Sequence, residues 1–238
     1  MSRWLSRQLE AIMARDPALR TTTEALLCYP GLHAQLAHRI ARRFYLRGWT
    51  TMARLVSHVA RWLTGIEIHP GARLGEGVFI DHGMGVVIGE TAVVGDDVTI
   101  YQGVTLGGTS LRREKRHPTI EEGAVIGAGA SVLGDIVVGA RAKIGAGSVV
   151  TKDVPTGCVV VGVPGRVAAC EKRSLALDIR EDAQIPDPVT QNLAYLQWRV
   201  EYLQEQVDAL QRRTGVAHVP PPAASEGEDA AFSAGEGI

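Results

Sequence analysis

Residues 120–150, Ile120-Glu-Glu-Gly-Ala-Val-Ile126-Gly-Ala-Gly-Ala-Ser-Val132-Leu-Gly-Asp-Ile-Val-Val138-Gly-Ala-Arg-Ala-Lys-Ile144-Gly-Ala-Gly-Ser-Val-Val150, place an aliphatic residue at every sixth position. The spacing runs backwards through Ile68, Leu74 and Ile80 and through Ile88, Val94, Ile100 and Leu106. Glycine directly follows Leu74, Ile88, Val94, Leu106, Ile126, Val138 and Ile144. A six-residue unit cannot bury its own apolar face, so three units read as the sides of one triangular coil, and stacked coils make a prism with the aliphatic side chains along its axis. Glycine and small residues beside them suit tight corners. The period implies a parallel β-helix, whereas a β-sandwich would need alternation with period two over longer runs.

Working outward, residues 1–64 read as a helical segment, with Arg15-Asp16-Pro17 opening a helix and Tyr29-Pro30-Gly31 breaking the run. Ile40, Phe44, Leu55, Val59 and Leu63 then recur at helical spacing. The prism is expected over 65–167, closing where the spacing dissolves into Pro155, Gly157 and Val163-Pro164-Gly165. A polar connector spans 168–186. Asp187-Pro188 then caps a helix over 187–214 in which Val189, Leu193, Leu196, Val200, Leu203, Val207 and Leu210 form a heptad seam, either a coiled coil or an amphipathic helix lying on the domain. Residues 215–238 have the composition of a flexible tail.

The chain of 238 residues is 45% hydrophobic and 21% charged with a formal charge of −1, which places it among globular proteins and gives no electrostatic case for nucleic acid. The basic run Arg112, Arg113, Lys115, Arg116 reads as a solvated loop. No stretch is apolar for long enough to span a bilayer, and the charged start lacks the pattern of a signal peptide. Cys28, Cys158 and Cys170 contain no CxxC pair and suggest neither a disulfide framework nor zinc, so reduced thiols in a cytoplasmic protein are the expectation.

Two interruptions of the period point to chemistry, because a packing repeat tolerates insertions where they project. Between Ile80 and Ile88 the stretch Asp81-His82-Gly83-Met84-Gly85-Val86-Val87 is two residues too long, and between Leu106 and Ile120 a loop runs from Gly107-Gly108-Thr109-Ser110 to Arg116-His117-Pro118. Each carries a histidine, the side chain best suited to take a proton near neutral pH. Glu67 lies 15 residues before His82. With adjacent coils about 4.8 Å apart, its carboxylate falls near the His82 rung, where it would fix the tautomer and stabilise an imidazolium. No serine or cysteine nucleophile with its own base is apparent, which favours direct transfer to a hydroxyl or amine that His82 deprotonates.

Gly65-Ile66-Glu67-Ile68-His69-Pro70, Ile80-Asp81-His82, Val87-Ile88-Gly89-Glu90-Thr91-Ala92-Val93, Val104-Thr105-Leu106-Gly107-Gly108-Thr109, Arg116-His117-Pro118 and Val161-Gly162-Val163-Pro164 together resemble bacterial serine O-acetyltransferases, over about residues 10–167. The resemblance implies a left-handed β-helix assembled as a homotrimer or dimer of trimers, with acetyl-CoA as co-substrate and no permanently bound cofactor or metal. It places the general base on His82 and the orienting acid on Glu67, where many members have aspartate. It puts the serine ammonium on Asp81 and Asp16 and the serine carboxylate on Arg116 and His117, as a zwitterion requires. From the residues alone, Asp16 reads equally well as a helix cap before Pro17. The same resemblance places acetyl-CoA along Gly107, Gly108, Thr109, Ala128 and Ala146 with Lys143 as a phosphate contact, although corner packing would choose the small residues too. The tail, ending Glu-Gly-Ile238, resembles the segment that docks into O-acetylserine sulfhydrylase, a free carboxylate beside one apolar side chain imitating an amino acid. Feedback by L-cysteine at the serine site is also implied.

Three other readings stand beside this one. A hexapeptide acetyltransferase for a sugar or other hydroxyl acceptor would use the same histidine, although Asp81 with Arg116 suits an amino acid better. A γ-carbonic-anhydrase-like metalloenzyme would recruit His69, His82 and His117, but the HxxxxH spacing is absent. A non-catalytic scaffold leaves both insertions without a purpose.

Overall fold

The computed structural model of the chain describes residues 3–170 and, further on, 199–200, 202–204 and 206–207. The chain divides into two units, Met1–Pro188 and Val189–Ile238. In the second, the described residues are helical; the remainder of the expected heptad helix, the connector beyond Cys170 and the tail with Ile238 lie outside the described residues.

In the first unit, the strands of the repeat are two to five residues long and form three faces. The first face stacks β1 (Glu67–Ile68), β4 (Val87–Ile88), β7 (Thr105–Gly107), β10 (Ser131–Leu133) and β13 (Val149–Val150). The second stacks β2 (Arg73–Leu74), β5 (Val93–Val94), β8 (Thr119–Ile120) and β11 (Val137–Val138). The third stacks β3 (Phe79–Ile80), β6 (Thr99–Ile100), β9 (Val125–Ile126), β12 (Lys143–Ile144) and β14 (Cys158–Val161), followed by β15 (Arg166–Cys170). Every pairing but the last is parallel and in register, as in Ile88 opposite Leu106 and Ile100 opposite Ile126. Ile88, Ile100, Leu106, Ile120 and Ile126 are fully buried, so the six-residue spacing does place the aliphatic side chains on the axis. The coil also runs beyond Val150: Val154 bridges to Val138, and β14 completes another third-face rung.

The expectation of reduced thiols is overturned. After β14 the chain turns back through Gly162–Gly165, so β15 pairs antiparallel with β14 and sets Cys170 opposite Cys158, with Cα atoms 4.0 Å apart and the sulfurs bonded. Twelve residues of separation carry no disulfide signal until the hairpin brings the ends together. Cys28 is free and exposed.

Four helices precede the prism: α1 (Arg3–Arg15), α2 (Thr22–Cys28), α3 (Pro30–Leu46) and α4 (Thr50–Thr64). Asp16 follows the end of α1, its N–H still bonded to Ile12, and does not open a helix. Pro17 explains the difference, since the residue before proline disfavours helical geometry; the cap of α2 is Thr21, whose hydroxyl accepts from the Glu24 N–H at 3.2 Å. Pro30 occupies the first turn of α3, where its missing N–H costs nothing. The helices are moored to the prism by polar contacts. Arg7 and Arg15 both reach Asp97, Gln35 donates to the Val78 carbonyl at 3.1 Å, Arg42 to those of Gly71 and Ala72, and Ser57 to that of Ile68 at 2.6 Å.

Candidate active site

The first insertion forms the corner between the third and first faces. Asp81 N–H closes on the Ile100 carbonyl, Gly83 N–H turns back to the Asp81 carbonyl at 2.6 Å, and Gly85 N–H reaches the Gly65 carbonyl at 2.9 Å. His82, between these anchors, is exposed and has φ +56°, a left-handed conformation uncommon outside glycine. Asp97 and Arg141 share it at other corners, so the conformation belongs to the corner; what distinguishes His82 is the chemistry it carries.

The helical segment brings a second carboxylate to this corner. A side chain at Gly31 would collide with the Ile80 carbonyl, so the start of α3 lies directly against the end of β3. The end of α1 is fixed on the same face by Arg15, which donates to Asp97 at 2.7 Å and to the Thr99 hydroxyl at 3.2 Å. Between them sits Asp16, which accepts from the Tyr29 hydroxyl at 2.5 Å and the Ala18 N–H at 2.8 Å. These bonds, Tyr29 first, hold its carboxyl below the usual range, and the electrostatic influence of His82 acts in the same direction. Tyr29 in turn feels Asp16 and Asp81, so Asp16, Tyr29, Asp81 and His82 form one acidic corner.

Below His82 this edge continues as a shelf of stacked corners. Its corners stack through Gly103 N–H to the Met84 carbonyl, Gly129 N–H to that of Gln102 and Gly147 N–H to that of Ala128, each at 2.8–2.9 Å. A side chain added at Gly129 or Gly147 would meet nothing within 4 Å. Ala128 and Ala146 lie along this shelf, and the exposed Lys143 stands on β12 of the adjoining third face.

The second insertion leaves β7 at the opposite edge of the first face and is basic. Arg116 donates to Glu90 at 2.6 Å, and the Tyr45 hydroxyl reaches the other oxygen of Glu90 at 3.4 Å. Arg116 chiefly, through its hydrogen bond, keeps the Glu90 carboxyl below the usual range. His117 is buried beside Gly89; its Nδ1 accepts from the Thr91 N–H at 3.3 Å and lies 2.9 Å from the Thr91 hydroxyl, whose oxygen takes the N–H groups of Arg116 and His117. An Nδ1 that accepts leaves the ring proton on Nε2. Burial, then the charge of Arg116, lowers the pKa of His117. His69, two coils earlier on this edge, is likewise lowered by burial and then by Arg54. Gly107, Gly108 and Thr109 begin the same loop.

The predicted site residues therefore fall into two groups on the two edges of the first face. Asp16, Asp81, His82, Ala128 and Ala146 stand at one, with Lys143 on the adjoining third face, and Gly107, Gly108, Thr109, Arg116 and His117 stand at the other. Glu67 stands on β1; its carboxylate pairs with Arg61 at 2.9 Å, and among the described residues no hydrogen bond joins it to His82. Arg54, Ser57, His58, Arg61 and Glu67 line a hollow there. Residue-by-residue reading missed Tyr29, Arg61, Glu90 and Thr91. Glu90 and Thr91 belong to a motif quoted above, but only the stacking of coils shows that they hold Arg116 and His117.

A family model described as bacterial transferase hexapeptide (six repeats) matches residues 117–152. The serine acetyltransferase of Synechococcus elongatus is 51% identical over 210 residues, covering 88% of this chain and 85% of that protein. The chain belongs to the serine acetyltransferase family. Its fold is the left-handed parallel β-helix, and it is an acyltransferase. Among solved structures, Neisseria gonorrhoeae serine acetyltransferase in complex with serine is 48% identical with a TM-score of 0.68, covering 70% of this chain and 68% of that one. The Brucella abortus serine acetyltransferase in complex with coenzyme A is 46% identical with a TM-score of 0.67, covering 68% of this chain and 65% of that one. Among the described residues, no helix is long and apolar enough to cross a membrane, and no group of three or more His, Cys, Asp or Glu is gathered as for a metal ion.

Proposed function

We propose that the chain is a cytoplasmic enzyme of cysteine biosynthesis that transfers the acetyl group of acetyl-CoA to the hydroxyl of L-serine. The observation that carries this reading is the corner where an exposed His82 stands beside the carboxylates of Asp16 and Asp81 at the head of a shelf that is open at Gly129 and Gly147. Asp16 and Asp81 attract the serine ammonium, and the shelf admits an extended ligand whose thioester reaches His82. His82 takes the proton from serine Oγ, the oxygen attacks the thioester carbonyl, and the tetrahedral adduct expels the CoA thiolate, which recovers the proton from His82. Glu67 stabilises the imidazolium in this scheme, and O-acetylserine and CoA leave without a covalent enzyme intermediate.

The serine carboxylate requires Arg116 and His117, which stand at the other edge of the first face. In a homotrimer each site would combine the acidic edge of one chain with the basic edge of the next, Gly107, Gly108 and Thr109 facing the shelf across the same groove. Light scattering tests this assembly, and a chain truncated after Pro186 tests whether the heptad helix joins two trimers. The Ile238 tail would bind O-acetylserine sulfhydrylase; deleting Ile238 should abolish that binding and leave acetyl transfer intact.

The deciding experiment is thiol release from acetyl-CoA with L-serine, and with a sugar as control acceptor. His82→Ala should reduce the serine-dependent rate by a factor of about 10² or more while the thermal midpoint holds. Release with the sugar alone would overturn the substrate, and an unaffected variant would overturn the role of His82.

A further inference from the structure

Tyr29 has no part in the scheme above, yet it is the residue around which the acidic corner is built. It stands at the junction of α2 and α3 with extended backbone, φ −101° and ψ 99°, fixed from behind by Pro30. Its ring is packed against a cluster formed by Trp4, Leu9, Ile12, Ala25, Leu32 and Phe79, so the hydroxyl is delivered from a rigid base. Two residues on, Gly31 rests on the Ile80 carbonyl, immediately before Asp81. The only polar partner of the hydroxyl among the described residues is Asp16, at 2.5 Å.

We infer that Tyr29 is a positioning residue for the amine of the acceptor: by holding one oxygen of Asp16, it fixes that carboxylate so that its remaining lone pairs face the ammonium group together with Asp81. The inference rests on the reading of the site given above and deepens it. Asp16 lies on the loop between α1 and α2, and without Tyr29 its side chain keeps only backbone N–H partners of its own loop, Ala18 foremost. A carboxylate offers about four acceptor directions, so two bonds leave room for an ammonium donor. Burial, and then the bond to Asp16, hold the phenol well above its ordinary range, so Tyr29 remains a donor wherever the enzyme works. Tyr29 touches no reacting atom in this arrangement; its effect falls on binding of the amine.

The test compares Tyr29→Phe, Asp16→Asn and the double variant in steady-state assays of serine and acetyl-CoA, with Tyr29→Leu as a second hydroxyl-free variant. Tyr29→Phe should raise the KM for serine about tenfold, the loss expected for one hydrogen bond to a charged group, and leave kcat and the KM for acetyl-CoA within about twofold. The double variant should be no worse than Asp16→Asn alone, because both remove the same interaction. A KM for serine raised by Asp16→Asn but not by Tyr29→Phe would overturn the inference and spare the site. Effects that add in the double variant, or that reach acetyl-CoA equally in both Tyr29 variants, would also overturn it, since they mark Tyr29 as structural only. If Asp16→Asn leaves serine binding unchanged, the assignment of Asp16 falls first and this inference with it.

Discussion

The prism and α4, the last helix before it, bury opposite kinds of residue. In the prism the large aliphatic side chains go inside: Ile88, Ile100, Leu106, Ile120 and Ile126 are 0% exposed. In α4 the buried positions are Ala53, Ser57, Ala60 and Thr64, whereas Met52, Leu55, Val59, Trp62 and Leu63 stand outward, Trp62 at 81%. The helical periodicity read through Leu55, Val59 and Leu63 is thus present, but the stripe points away from the chain's own core. Small residues let α4 lie close to α3 and β1, and its large ones form an apolar face of the kind that proteins cover on assembly. The prism carries its core within one chain, while the helical segment is only partly satisfied by it.

The largest expected effect that separates the two regions is a truncation inside the prism. Leu106→Ala should cost about 2–5 kcal/mol in urea unfolding because the stacked rungs around it cannot collapse into the gap. A second effect belongs to α3. His38 is buried and its pKa is lowered to about 4, first by desolvation and then by Arg42, with Arg39 and His69 acting in the same direction. The unfolded chain therefore binds the proton more readily. The His38 contribution to stability is complete above about pH 6.5, declines as pH falls, and levels off below about pH 4 after a loss of about 3 kcal/mol. His38→Leu should flatten that acid limb, measured as thermal midpoint against pH. A smaller change is expected at the cap of α2: Thr21→Ala removes the bond to Glu24 N–H and should cost about 1 kcal/mol. The smallest is Leu55→Ala on the outward face, which should change the unfolding of isolated subunits by less than about 0.5 kcal/mol. Light scattering sharpens this case, since a fall in mass for Leu55→Ala with Trp62→Ala would show that assembly covers this face.

The prism was legible because its signal is local: an aliphatic residue and its glycine neighbour lie in the same six-residue unit. The projecting corner that carries His82 was legible because an insertion interrupts that signal. What could not be read depends on coil stacking or chain reversal. Glu90 meets Arg116 across 26 residues, a distance that includes a loop whose length hides the register. Cys158 meets Cys170 only because the hairpin reverses direction. Asp16 was read as opening a helix because Asp-Pro is a cap signature, and its bond to Tyr29 across 13 residues has no pattern in either segment. The face that α4 buries was hidden for a different reason: periodicity reports which residues share a side, and leaves open whether that side meets the same chain.

The hairpin of β14 and β15 has one further consequence. A ladder of parallel rungs has no intrinsic length; its last strand offers unpaired N–H and C=O groups to any other strand, and so invites growth end to end. Here Val149 spends its N–H on the Gly162 carbonyl and its carbonyl on the Gly165 N–H, and β15 covers β14 antiparallel, a direction that a further parallel rung cannot copy. At the other end α4 lies against β1, with Ser57 taking the Ile68 carbonyl. The rod is thereby given two ends, so a fold with the geometry of a fibre is kept as a particle of fixed size.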